Sequence, residues 1–214
     1  MSKGTLKTKK RAQSSLYSVH PSVDMLAKWI DDLPAKTGRS LEQWVALVKK
    51  TAPRGETARI AWLKKEHGFG TNTAKWIVDT AEGKSKEIAD HAEYLKAAEA
   101  YVEAQYAGKK AALRPIFDAL LELGLGVAKD VKACPCKTMV PLFRRHVIAE
   151  IKPSTLTRVD FGLALRDTKT PARLIHTGGF AKKDRITHRI AITSVGEIDG
   201  EVEKWLRKAY ELDA

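Results

Sequence analysis

Residues 63–77 read Leu-Lys-Lys-Glu-His-Gly-Phe-Gly-Thr-Asn-Thr-Ala-Lys-Trp-Ile, with two glycines one residue apart between two runs of helical periodicity. Glycine lets a backbone approach a phosphate closely, and the free N–H groups opening a helix form an anion site reinforced by the helix dipole. On that chemistry Gly68, Gly70 and the amides of Thr71 and Asn72 bind a phosphate, Phe69 packs between the helices and Lys75 adds charge, with Gly70 a candidate for positive φ. An ordinary glycine C-cap followed by a tight turn accounts for the same residues.

A second constellation is basic: Lys137, Arg144, Arg145, Lys152, Arg158, Arg166, Lys169, Arg173, Lys182, Lys183, Arg185 and Arg189. Some fall on the solvent face of predicted strands and others on the 167–187 loop, from which long side chains reach a phosphate backbone. Only Phe143, Phe161 and Phe180 interleave with them, so duplex backbone binding fits better than stacking on single strands. Charge placement agrees. Residues 21–106 hold 13 basic and 13 acidic side chains, whereas 129–189 hold 14 against 5, an excess of +9 within a total of +12. Such an excess attracts polyanions, DNA first among them, although a solvated charged face has the same composition.

Catalytic readings are thinner. Glu150-Ile151-Lys152 at a strand end, with Asp130 upstream, shares its order with nucleases that hold Mg²⁺ between an Asp and a Glu beside a Lys. Pro153 directly after Lys152 weakens the match. Cys134-Pro135-Cys136 with His146 lacks the four ligands and wider spacing of a zinc site, so no metal is expected. Neither a phosphate-binding Walker loop nor a dinucleotide fingerprint occurs, and no cofactor is expected.

The elements that position these groups follow from periodicity. Residues 1–20 carry five basic side chains and no apolar period, as a flexible basic tail does. A helical domain over 21–83 begins at a Ser22 N-cap, its first helix ending near Asp32; Ser40-x-x-Gln43 caps a second helix, a third runs to His67 and a fourth opens at Thr71. A long connecting helix follows over 84–106, and a basic α+β domain over 107–214. There a helix ends at 123–126 and the period falls to two, predicting strands at 131–135, 138–144, 147–151, 159–165 and 188–193. Ser194-x-x-Glu197 then opens a final helix. The fold class is thus α+β: an all-helical N-terminal domain, then antiparallel strands flanked by two helices. With two cysteines too close to pair well, no signal peptide and no membrane-length apolar run, a soluble cytoplasmic protein is expected.

Residues 33–44, Leu-Pro-Ala-Lys-Thr-Gly-Arg-Ser-Leu-Glu-Gln-Trp, resemble the bacterial family called domain of unknown function 4287, over about residues 20–80. Ile151-Lys152-Pro153-Ser154 and Arg158-Val159-Asp160-Phe161-Gly162-Leu163 resemble a second family, domain of unknown function 5655, from Tyr106 to Tyr210. Neither brings catalytic residues; the second, as the resemblance implies, also accompanies predicted nucleases. The 63–77 stretch resembles the helix-hairpin-helix element, with His67 replacing the usual proline and no basic residue directly after Gly70. Together these readings favour a non-catalytic module contacting nucleic-acid backbone. A protein or small-anion adaptor is the alternative, and a metal-dependent nuclease the third.

Overall fold

Each apolar run of the first half becomes a helix with an identifiable cap. The structure, a computed structural model, describes residues 16–84, 90–169, 171–182 and 184–214. Helix α1 spans Pro21–Thr37, α2 Leu41–Thr51, α3 Glu56–His67, α4 Thr71–Ala81 and α5 His91–Gln105. Ser22 is not the cap of α1. His20 is, its Nδ1 accepting from the Ser22 N–H at 3.0 Å, because Pro21 takes the first helical position, where a missing donor costs nothing. Nor does α1 stop near Asp32: it runs through Pro34 to Thr37, burying Leu33, until Gly38 closes it at φ 74° by donating to the Pro34 carbonyl. The Ser40–Gln43 capping box of α2 forms as predicted. Helix α5 starts at an Asp90 cap, later than the predicted connecting helix, whose residues 85–89 lie outside the described residues.

The second half opens with a 3-10 turn over Gly108–Leu113 and α6, Arg114–Gly126. Strands β1 (Lys132–Ala133), β2 (Val140–Phe143), β3 (Val147–Pro153), β4 (Val159–Leu163), β5 (Ile175–His176) and β6 (His188–Ile192) pair antiparallel in the order β1-β2-β3-β4-β6-β5. The predicted α+β class holds. Edge strand β5 was not foreseen, since two residues carry no period. Helix α7, Gly200–Glu211, starts at an Asp199 cap instead of Ser194: Glu197 turns back to the Thr193 N–H and hydroxyl, which holds Val195–Glu197 as a 3-10 turn.

Period two sorts the sheet. Val140, Ile151, Phe161 and Ile190 share one row of the register and are fully buried in the core with Phe117 and Leu120 of α6 and Val202 and Leu206 of α7. The adjacent row, Pro141, Glu150, Gly162 and Arg189, points to the other face. A smaller core of Leu33, Trp44, Val48, Leu63, Ala74, Ile77 and Val78 holds α1 to α4 together.

The end of the basic tail is ordered against the sheet. The Ser18 N–H donates to the Ala133 carbonyl at 2.8 Å, Tyr17 packs on the larger core and the His20 ring meets Phe143 edge-on. Helix α5 ties to the same edge: the Tyr94 hydroxyl donates to the Pro135 carbonyl at 2.7 Å and the Gln105 amide to the Cys136 carbonyl at 2.8 Å. Cys134 and Cys136 are free, and burial pushes the Cys134 thiol up to about 12, as suits a packing residue. Among the described residues, no helix is long and apolar enough to cross a membrane.

Candidate nucleic-acid interface

Arginines from three separate turns converge on the end of α7 and the residues that follow it. Asp213 is 4% exposed and accepts the backbone N–H groups of Arg145 and His146 at 3.0 and 2.9 Å, His146 Nδ1 at 2.9 Å and Arg185 Nη2 at 2.5 Å. Burial pushes its carboxyl upward, but the His146 hydrogen bonds and the Arg185 charge outweigh that and hold it below the usual carboxylate range. Arg144 lies 4.2 Å over the Tyr210 ring, donates to the Tyr210 carbonyl at 3.2 Å and pairs with Asp130 at 3.2 Å. Arg166 reaches the Leu212 carbonyl at 2.5 Å. The carbonyls ending a helix carry its negative dipole, which is why cations collect there.

Arg166 has φ 54°, unlike any other non-glycine among the described residues, a backbone costing about 1–2 kcal/mol for an L-residue. That turn aims its side chain across a cleft of about 440 Å³ bounded by Arg166, Asp184, Arg185, Thr187, Leu212 and Asp213. Arg185 also donates to the Val147 carbonyl at 3.2 Å yet keeps 46% of its side chain exposed. The Arg145 guanidinium makes no hydrogen bond or ion pair among the described residues and is exposed, as is the Lys182 ammonium. The result is a set of guanidinium groups, some braced and one free, able to donate to an anion.

Of the residues singled out in the sequence, Arg144, Arg145 and Arg185 therefore come together, and Arg166 joins them. Others do not. Arg173 is bound to Asp199 at 2.6 Å, to Glu201 and to the Glu197 carbonyl, bracing the start of α7. Lys137 stands 5.7 Å over the Tyr101 ring. Lys183 lies outside the described residues. In the hairpin, Gly68 caps α3 at φ 69°, but Gly70 has φ −68°, so the positive φ considered for it is corrected: it stands in extended backbone as the N-cap of α4. Phe69 packs against Trp44 as expected, ring centroids 4.8 Å apart. The first turn of α4, with Thr71 and Asn72, lacks a side-chain cap; the Thr71 hydroxyl accepts from Lys64 at 2.9 Å, and Lys75 is held by Asp79 at 2.9 Å and Glu56 at 3.4 Å.

Lys152, Glu150, Asp160 and Arg189 occupy the outer face of the sheet. Asp160 is paired with Arg158 at 2.8 Å and Arg189 at 2.9 Å. Burial raises the Glu150 carboxyl above its usual range against the pull of Lys152, with Asp184 and Asp160 adding to the rise. Asp130 is not with them; the Tyr210 hydroxyl and Arg144 hold it. The Asp130–Glu150–Lys152 grouping is thus not assembled, and no three His, Cys, Asp or Glu side chains among the described residues come together to hold a metal. Sequence reasoning missed Asp213 because a single acid near a chain end has no period; only its four donors reveal its role.

A family model described as Domain of unknown function (DUF5655) matches residues 102–213, and one described as Domain of unknown function (DUF4287) matches residues 25–83. No curated protein and no solved structure matches the chain.

Proposed function

Starting from a chain that belongs to the DUF5655 family, we propose that its C-terminal half is a non-catalytic module binding nucleic-acid phosphate backbone through Arg145, Arg166, Arg185 and Lys182. One observation carries the reading: Arg166, and in part Arg185, are fixed by carbonyl oxygens, which orient a guanidinium without cancelling its charge, beside an Arg145 with no partner among the described residues. A phosphate supplies what those groups lack. Two free cysteines suit a protein working in the reducing cytoplasm.

The test is a titration against duplex DNA, single-stranded DNA and RNA at several salt concentrations. Binding should weaken with salt at a log-log slope of about 0.9 per phosphate neutralised on duplex DNA. No salt-dependent binding at low ionic strength would sink the reading. A cleft of about 440 Å³ is also in the size range of small-ligand sites, which favours a small-anion adaptor as the second reading. Inorganic phosphate that saturates the chain while DNA does not compete selects that alternative.

A further inference from the structure

Glu150 and Lys152 are adjacent outward residues of β3, about 7 Å apart along the strand. Both side chains are half-buried, and neither carries a hydrogen bond or a close ion pair among the described residues, Lys152 acting on Glu150 only through its charge. Partly dehydrated charges without partners are costly, so folded proteins usually pair them. The fold places a partner within reach: Glu150, Gly162 and Arg189 form one row across β3, β4 and β6. Arg189 instead turns to Asp160, already held by Arg158. Gly162 fixes what remains, since a Cβ there would lie 2.6 Å from Glu150 Cγ and 2.8 Å from Ile186 Cγ2. The Glu150 stem thus lies over Gly162, and its carboxylate is left as a braced, unused acceptor.

We propose that this face reads an unpaired guanine, with Glu150 accepting from its N1–H and N2–H and Lys152 holding a phosphate of the same nucleotide. The inference rests on the nucleic-acid reading above and adds base chemistry to it. A carboxylate accepts two parallel N–H donors and repels lone pairs. Guanine alone among the bases presents two adjacent donors on its Watson–Crick edge. Adenine and cytosine set an acceptor nitrogen beside their amino group, and uracil flanks its single N–H with carbonyls. Such edges are open to proteins in unpaired nucleotides.

The full chain is titrated at low salt with GMP, AMP, CMP and UMP, and with free arginine, whose guanidinium carries the same donor pair. GMP is expected to bind about tenfold tighter than the other three, the discrimination a good bidentate contact gives. Glu150→Gln should abolish the preference while leaving duplex binding in place, and Lys152→Met should weaken all four nucleotides alike. The melting temperature of Glu150→Gln should hold or rise, because an unpaired charge is removed. Equal affinity for the four nucleotides in the unaltered chain overturns the inference without any variant, as does a guanine preference that survives Glu150→Gln, or binding of arginine without GMP. If duplex DNA still binds in a salt-dependent way, only this inference falls; loss of all nucleic-acid binding removes the backbone reading beneath it.

Discussion

The two halves spend their cations differently. In the helical half, Lys36 pairs with Asp32, Arg59 with Glu82, Lys75 with Asp79 and Glu56, and Lys84 with Glu56 and Glu82. Each of these positive charges meets a carboxylate, and the 13 to 13 count for residues 21–106 leaves that half neutral. Around the end of α7 the carbonyls of Tyr210, Leu212 and Val147 are partners too, alongside Asp130 for Arg144 and the buried Asp213 for Arg185. A carbonyl fixes a guanidinium and leaves its charge standing. The useful contrast is therefore the kind of partner each cation has, more than the net charge of the two halves.

The largest effect should come from removing the shared carboxylate. Asp213→Ala removes a buried acceptor shared by Arg185, His146 and two backbone N–H groups, a loss of about 3 kcal/mol, against about 0–1 for Asp32→Ala, whose pair with Lys36 is exposed. Urea unfolding of both variants checks this. The sign with pH follows from the lowered Asp213 carboxyl: its stabilisation is complete above the unfolded value of about 3.9 and is lost as pH falls through the lower folded one. Next comes Gly179→Ala. A Cβ there would run into the Ile186 carbonyl oxygen, a backbone atom that cannot swing aside, so about 1–3 kcal/mol should be lost in the same assay.

Charge reversal tests the contrast directly. Arg145→Glu and Lys182→Glu should each lower the salt slope by about one and weaken binding to unrelated sequences alike, since backbone contacts carry no base information. Reversals at the exposed Lys49 and Lys50 of α2 are the control from the neutral half. If all four act equally, the contrast between the halves has no bearing on binding.

How much of this was legible in the sequence depends on range. The α2 capping box, the start of α4 and the alternation of β4 are local, and local chemistry set them. Missed features depend on distant partners: α1 continues past Pro34 because Leu33 finds a core, and Ser194 loses its cap because Glu197 serves Thr193. The basic residues were visible as a set, but Arg144, Arg145, Arg166 and Arg185 assemble through residues 210–213, up to 68 positions away in sequence.

A smaller effect separates the halves by pH. His188 is fully buried under β5, and burial, then the nearby His176, holds its imidazole below the ordinary range. Neutral when folded, it binds a proton on unfolding once pH drops below about 6.5. Stability is therefore full above that value and declines toward the lower folded one, by about 1.4 kcal/mol for each pH unit between the two values. His188→Gln should flatten the decline between pH 7.5 and 5 in urea unfolding. The decline surviving in that variant would assign it elsewhere, the half-buried His20 being another imidazole held low by burial.

The smallest effect sharpens the comparison at its weakest point, the hairpin of the neutral half. Gly68 and Gly70 both face open space, but only Gly68 has positive φ. Gly68→Ala should cost about 1 kcal/mol through its left-handed backbone, and Gly70→Ala close to nothing. A methyl at Gly70 nevertheless stands at the N-cap of α4, where a phosphate would approach the free amides of the first turn. Gly70→Ala thus changes approach without changing fold, which Gly68→Ala cannot do. Weaker binding to duplex DNA in Gly70→Ala, at an unaltered melting temperature, would bring the helical half into the interface. Unchanged affinity and slope would leave the hairpin as a plain turn between α3 and α4, and backbone contact to the arginines around residues 210–213 alone.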